Sequence, residues 1–95
     1  MDCDETYRKV IDADHEGYAL FDLAQCFLDG YDLSKLRKDM LSSDDVGIVS
    51  DGLFVAAEIG GLVVQCLPEI RPLAESPDPD IRKSAISLLS VYDKA

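Results

Sequence analysis

Laid on itself at a shift of about 33 residues, the chain brings Asp12, Asp45 and Asp78 into register, each followed by apolar residues at helical spacing. The register continues through His15, Ile48 and Ile81, then through a small-residue position occupied by Ala19, Gly52 and Ala85. Beyond it Leu20 aligns with Leu53 and Ile86, and Leu23 with Ala56 and Leu89. Trailing segments match more loosely, Leu33 with Cys66 and Met40 with Leu73. A unit of this length holds a pair of helices that cannot bury its own apolar faces, so successive units must lie against one another. Small residues at the shared position would let neighbouring helices approach closely. Two full copies and one leading helix are visible, and Tyr7, Val10 and Ile11 sit where the trailing helix of a truncated earlier copy would cap the stack.

The helices themselves are readable. Asp14 to Leu28 places Tyr18, Leu20, Phe21, Leu23, Ala24, Phe27 and Leu28 largely on one side, with Asp22, Gln25 and Asp29 opposite. Gly30 offers a left-handed stop, after which Asp32 or Ser34 caps a shorter helix using Leu33, Leu36, Met40 and Leu41. Ser43, Asp44 and Asp45 cap the next, which runs to about Ile59. It is apolar on most sides and should be central. Gly60-Gly61 ends it, and Leu62 to Ala74 forms its partner, with Val63, Cys66, Leu67, Ile70 and Leu73 inside. Pro68 and Pro72 bend that helix or confine its regular part, since each removes a backbone donor. A last helix follows Ser76-Pro77-Asp78-Pro79 and runs to about Tyr92, burying Ile81, Ala85, Leu88, Leu89 and Tyr92. Nothing alternates with the period of a strand. The expected architecture is all-α, one domain over residues 1–95.

Asp78-Pro-Asp-Ile-Arg-Lys-Ser-Ala-Ile-Ser-Leu-Leu89 resembles the first helix of a HEAT-like (armadillo-type) repeat. Leu67-Pro-Glu-Ile-Arg-Pro-Leu73 is similar to that family's second helix. Asp45 to Gly60 matches with Val49 in place of the family's Arg, and Asp12 to Phe27 matches with Glu16 there. The resemblance implies a short right-handed α-solenoid of about five to six antiparallel helices. It also implies Asp-Pro-Asp capping and a pairing of Arg82 with an acidic residue of the adjacent repeat.

Net charge is -10, from 19 acidic against 9 basic residues, which disfavours nucleic acid and anionic membranes as partners and favours a basic protein surface. Lys35, Arg37 and Lys38 gather on one short helix, so the charge is polarised. The most apolar stretch, Leu53 to Leu67, is too short and too interrupted to span a bilayer. Cys3, Cys26 and Cys66 form no CxxC pair and are read as reduced thiols. Met-Asp-Cys-Asp-Glu lacks the basic and apolar regions of a signal peptide, and a cytoplasmic setting is expected.

Chemistry is sparse. His15-Glu16 is reminiscent of the His-Glu motifs with which HEAT-like hydroxylases of the deoxyhypusine type hold iron, but one pair supplies too few ligands. His15 also aligns with Ile48 and Ile81, so it reads as a helix residue. The carboxylate pairs Asp12-Asp14, Asp44-Asp45 and Asp78-Asp80 stand where helices begin, and capping accounts for them. Cys26 and Cys66 lie in apolar runs with no cation to make a thiolate. There is no GxGxxG, P-loop, GxSxG or HExxH. No enzyme, metal or cofactor is expected. What remains is surface: Asp22, Asp29, Asp51 and Glu58 project from the long helices as a candidate partner-binding patch. In size and charge the chain is similar to bacterial immunity proteins, which neutralise basic nuclease toxins. That likeness implies a stoichiometric binder, a monomer or weak dimer alone. The other expectations are an adaptor stacking on another subunit and, third, a His-Glu metal enzyme.

Overall fold

The computed structural model describes residues 2–12 and 18–93, and among these every regular element is helical. The first, α1 (Cys3–Ile11), begins at Asp2, whose carboxylate accepts from the Glu5 amide at 3.2 Å. Asp4 and Glu5 in its first turn and Arg8 and Lys9 in its last complement the helix dipole. It folds back along α2 (Tyr18–Leu28) and buries Val10 completely. Gly30, at φ 106°, stops α2 as expected. The Tyr31 amide donates to Cys26 and the Gly30 amide to Phe27, a Schellman closure.

Two segments depart from regular helix. Lys35–Met40 is a π-type turn, the Leu41 amide donating back to Leu36. The wider turn keeps Leu36, Met40 and Leu41 all inward and fully buried. Between Gly60 (φ 59°) and Glu75 the partner helix is broken into 3₁₀ (Gly60–Cys66), a single α-turn α4 (Leu67–Ile70) and 3₁₀ again (Arg71–Glu75). Pro68 and Pro72 each stand near the start of a new segment, so the prolines confine the regular part to one turn.

The remaining long helices are α3 (Val46–Glu58) and α5 (Pro79–Tyr92). They open identically. Asp45 Oδ1 accepts from the Gly47 and Ile48 amides, and Asp78 Oδ1 from Asp80 and Ile81, while Ser43 and Ser76 hydroxyls accept from the two aspartate amides. Asp12 does not follow suit. It is the C-cap of α1, so the third aspartate of the register is not equivalent to the other two. Arg82, which the repeat resemblance would pair with a neighbouring acid, donates to the Ser76 carbonyl at 3.0 Å.

One apolar cluster, Val10 through Leu88, joins all the elements, with α3 packed against α2, the π-turn and α5. Gly52 lies at the closest approach: a Cβ there would stand 3.1 Å from Met40 Cβ and 3.2 Å from a Leu41 methyl. Arg37 pairs with Glu69 and Arg71 with Asp93, tying the intervening turns to their neighbours. At the other end the Tyr7 hydroxyl donates to Asp39 (3.2 Å) and Tyr31 to Asp4 (2.7 Å), with the Lys35 ammonium 5.0 Å from the Tyr7 ring centre.

The cysteines correct the sequence reading. Cys3 and Cys26 form a disulfide between α1 and α2, their Cα atoms 5.8 Å apart, because the return of α1 along α2 sets them side by side. Reduced thiols therefore no longer argue for a cytoplasmic setting. Cys66 is the buried, unbridged one.

Candidate protein-binding face

The acidic candidates fall into two pairs by helix. Asp22 and Asp29 are exposed on α2 and the turn just after it, seven positions apart and so on one stripe. Asp29 accepts from the Gln25 amide group at 3.0 Å. On α3, Asp51 is half-buried and Glu58 exposed, again seven apart. Between the two helices runs an aromatic seam. Phe21 and Phe54 meet edge to face at 5.3 Å, yet are 50% and 38% exposed. Such geometry suits the ring quadrupoles and holds both rings at the surface. Phe54 follows Asp51 by three positions and precedes Glu58 by four, so these three share a flank of α3. Asp22 is one residue past Phe21 and therefore about 100° around α2, further from α3.

On its other flank Phe54 borders a groove of about 560 Å³ between α3 and α5. Ser50 and Ala57 of α3 and Ser84 and Ser87 of α5 form its walls, and buried Leu53 and Leu88 its floor. Small side chains on both walls keep it open. Val91, 55% exposed, and Tyr92 close one part, and Lys83 is the cation among its lining residues.

Elsewhere the described residues offer little reactive chemistry. Asp45 and Asp78 serve as caps, as expected. Burial, with Glu69 nearby, pushes the Cys66 thiol up to about 11, so it is not a thiolate at neutral pH. Among the described residues no group of His, Cys, Asp or Glu is placed to hold a metal ion, and no helix is long and apolar enough to cross a membrane. His15, Glu16 and Asp14 lie outside the described residues.

The signal for the seam was present but ambiguous. Val46 and Phe54 stand on the same side of α3 as Gly47, Ser50 and Asp51, an apolar surplus beyond what one buried stripe needs. No family model, curated protein or solved structure matches this chain.

Proposed function

We propose that this chain is a protein-binding module whose α2–α3–α5 face takes a basic partner, and that its two capped units pack as a short HEAT-like α-solenoid. The observation that supports the binding role best is the exposed Phe21–Phe54 pair framed by Asp22, Asp29, Asp51 and Glu58 on a chain of net charge -10. Partly exposed aromatic rings inside an acidic frame combine the two ingredients of an interface, an apolar anchor and a charged rim. The partner class favoured is a basic nuclease-type toxin domain, neutralised by occlusion in the manner of an immunity protein. The test is titration against such a domain, with co-expression as a protection assay. Replacing Asp22, Asp29, Asp51 and Glu58 together by Ala should weaken the complex at least tenfold and flatten its salt dependence. Unchanged affinity and salt dependence would show that this is not the site.

A second reading rests on Ile86, 51% exposed on α5. An adaptor that stacks its last helix on another subunit would leave such a residue uncovered in isolation. Mass measurement across a concentration series decides: a dimer that dissociates on dilution and is lost in Ile86→Lys supports stacking, and a monomer throughout removes it.

A further inference from the structure

We infer that the groove between α3 and α5 seats an amphipathic helical segment of about two turns, its apolar stripe flanked by lysines and arginines. This rests on the reading that the partner is a basic protein, and it specifies which part of that partner docks and where. Ser50 to Ala57 on one wall and Ser84 to Val91 on the other each span about 10 Å along their helices, two turns of an α-helix. Serine and alanine walls let a third backbone come close, while the floor of Leu53 and Leu88 and the rims at Phe54 and Val91 offer apolar contact. An occupant would present anchors at i, i+4 and i+7.

Charge decides the chemistry of its flanks. Asp51 and Glu58 stand three and four positions from the Phe54 rim, and Asp80 lies one turn before Ser84 on the other wall. Lys83 opposes them alone among the lining residues. Three carboxylates thus stand within about a turn of the groove against the one lysine that lines it, so a helix edged with cations is favoured over one edged with carboxylates.

The experiment uses the ¹⁵N-labelled full chain and two synthetic helical peptides that share leucines at i, i+4 and i+7, one flanked by lysines and the other by glutamates. The lysine peptide should shift the Ser50, Ala57, Ser84 and Ser87 amides and bind at least tenfold tighter than its counterpart. Filling the groove with Ser84→Trp and Ser87→Trp, both at exposed positions, should weaken binding at least tenfold with a dispersed spectrum retained. Phe54→Ala, which trims one rim without filling anything, should weaken it several-fold and serves if the filled variant misfolds. Equal affinity for the two peptides, shifts confined to other residues, or no binding would overturn the inference. Binding that survives groove filling but falls when the four acidic residues are removed would refute the groove and leave the basic-partner reading standing. Perturbation of the same amides by raising the chain's own concentration would replace the helical segment with a second copy.

Discussion

α3 and α5 start alike and end in different surroundings. Each is opened by a serine and an aspartate in the same capping geometry, and each buries a small residue two turns later, Gly52 and Ala85. Yet Leu53 is 3% exposed and Ile86, at the equivalent place, 51%. Val49 is buried where Arg82 is exposed. The difference follows from position: α3 has α2 on one flank and α5 on the other, whereas α5 packs against α3 and the Arg71–Glu75 turn. Local sequence sets how a helix begins, and the number of neighbours sets how much of it is covered.

The sharpest way to break this comparison is to delete the same methyl groups at both places. Leu53→Ala should cost about 2–5 kcal/mol, because it empties a site walled by α3 and α5, while Ile86→Ala should cost under about 1 kcal/mol. Denaturant midpoints at constant slope measure both. Equal losses would mean that α5 is covered in solution, which would revive the stacking reading.

The N-terminal region supplies the contrast that neither capped helix does. There the aligned aspartate, Asp12, ends a helix instead of opening one, and α1 is held by a covalent tie and by side-chain contacts. A bridge across this sequence separation contributes roughly 3 kcal/mol by restricting the unfolded chain. Cys3→Ser should lower stability by about that much and should loosen α1 amides more than those of α3 in hydrogen exchange. Uniform loosening would show that α1 is an integral part of the core.

How legible this was depended on how local the cause is. Asp45 and Asp78 were readable as caps because the donors they satisfy lie two and three residues away. Gly30 was readable as a stop because a left-handed residue needs no tertiary partner. The π-turn was not, since it is selected by seating Leu36, Met40 and Leu41 inward at once. Nor was the disulfide, because nothing in the spacing of Cys3 and Cys26 encodes the return of α1 along α2. Phe21 falls on the apolar side of its helix and Phe54 on a helix apolar on most sides, and periodicity is silent on whether a neighbour covers such a face. The acidic residues were placed on the outside correctly for Asp22, Asp29 and Glu58, and Asp51 is half-buried.

Removing the shared caps tests the equivalence itself. Asp45→Ala and Asp78→Ala should each cost about 1 kcal/mol and differ by no more than a few tenths, because each deletes two amide contacts at the open end of a helix. A difference well beyond that would mean the caps are alike in geometry but not in the coupling of their helices to the core. Thermal unfolding of the two single variants and the double variant separates these outcomes, and additivity is expected because the two caps hold different amides on different helices.

The smallest effect concerns how the two helices end. α5 closes at Asp93, whose carboxylate is bound by the Arg71 guanidinium at 3.0 and 3.2 Å, whereas α3 closes at Gly60 in a left-handed turn. The Arg71 hydrogen bonds hold Asp93 below the usual carboxylate range. Because its folded value is the lower one, the pair's contribution is present above the unfolded value of about 4 and fades as pH falls through the folded value. Arg71 is exposed and Asp93 partly so, and solvent screening keeps the contribution small. Asp93→Asn should therefore lower the melting temperature slightly at neutral pH, and the gap between variant and parent should close on acidification. It should also shrink in high salt, while the Asp45→Ala penalty, which comes chiefly from short hydrogen bonds to amides, should persist there more fully. A gap that widened as pH fell would mean that the protonated carboxyl is the better partner, and would assign the end of α5 to some contact other than Arg71.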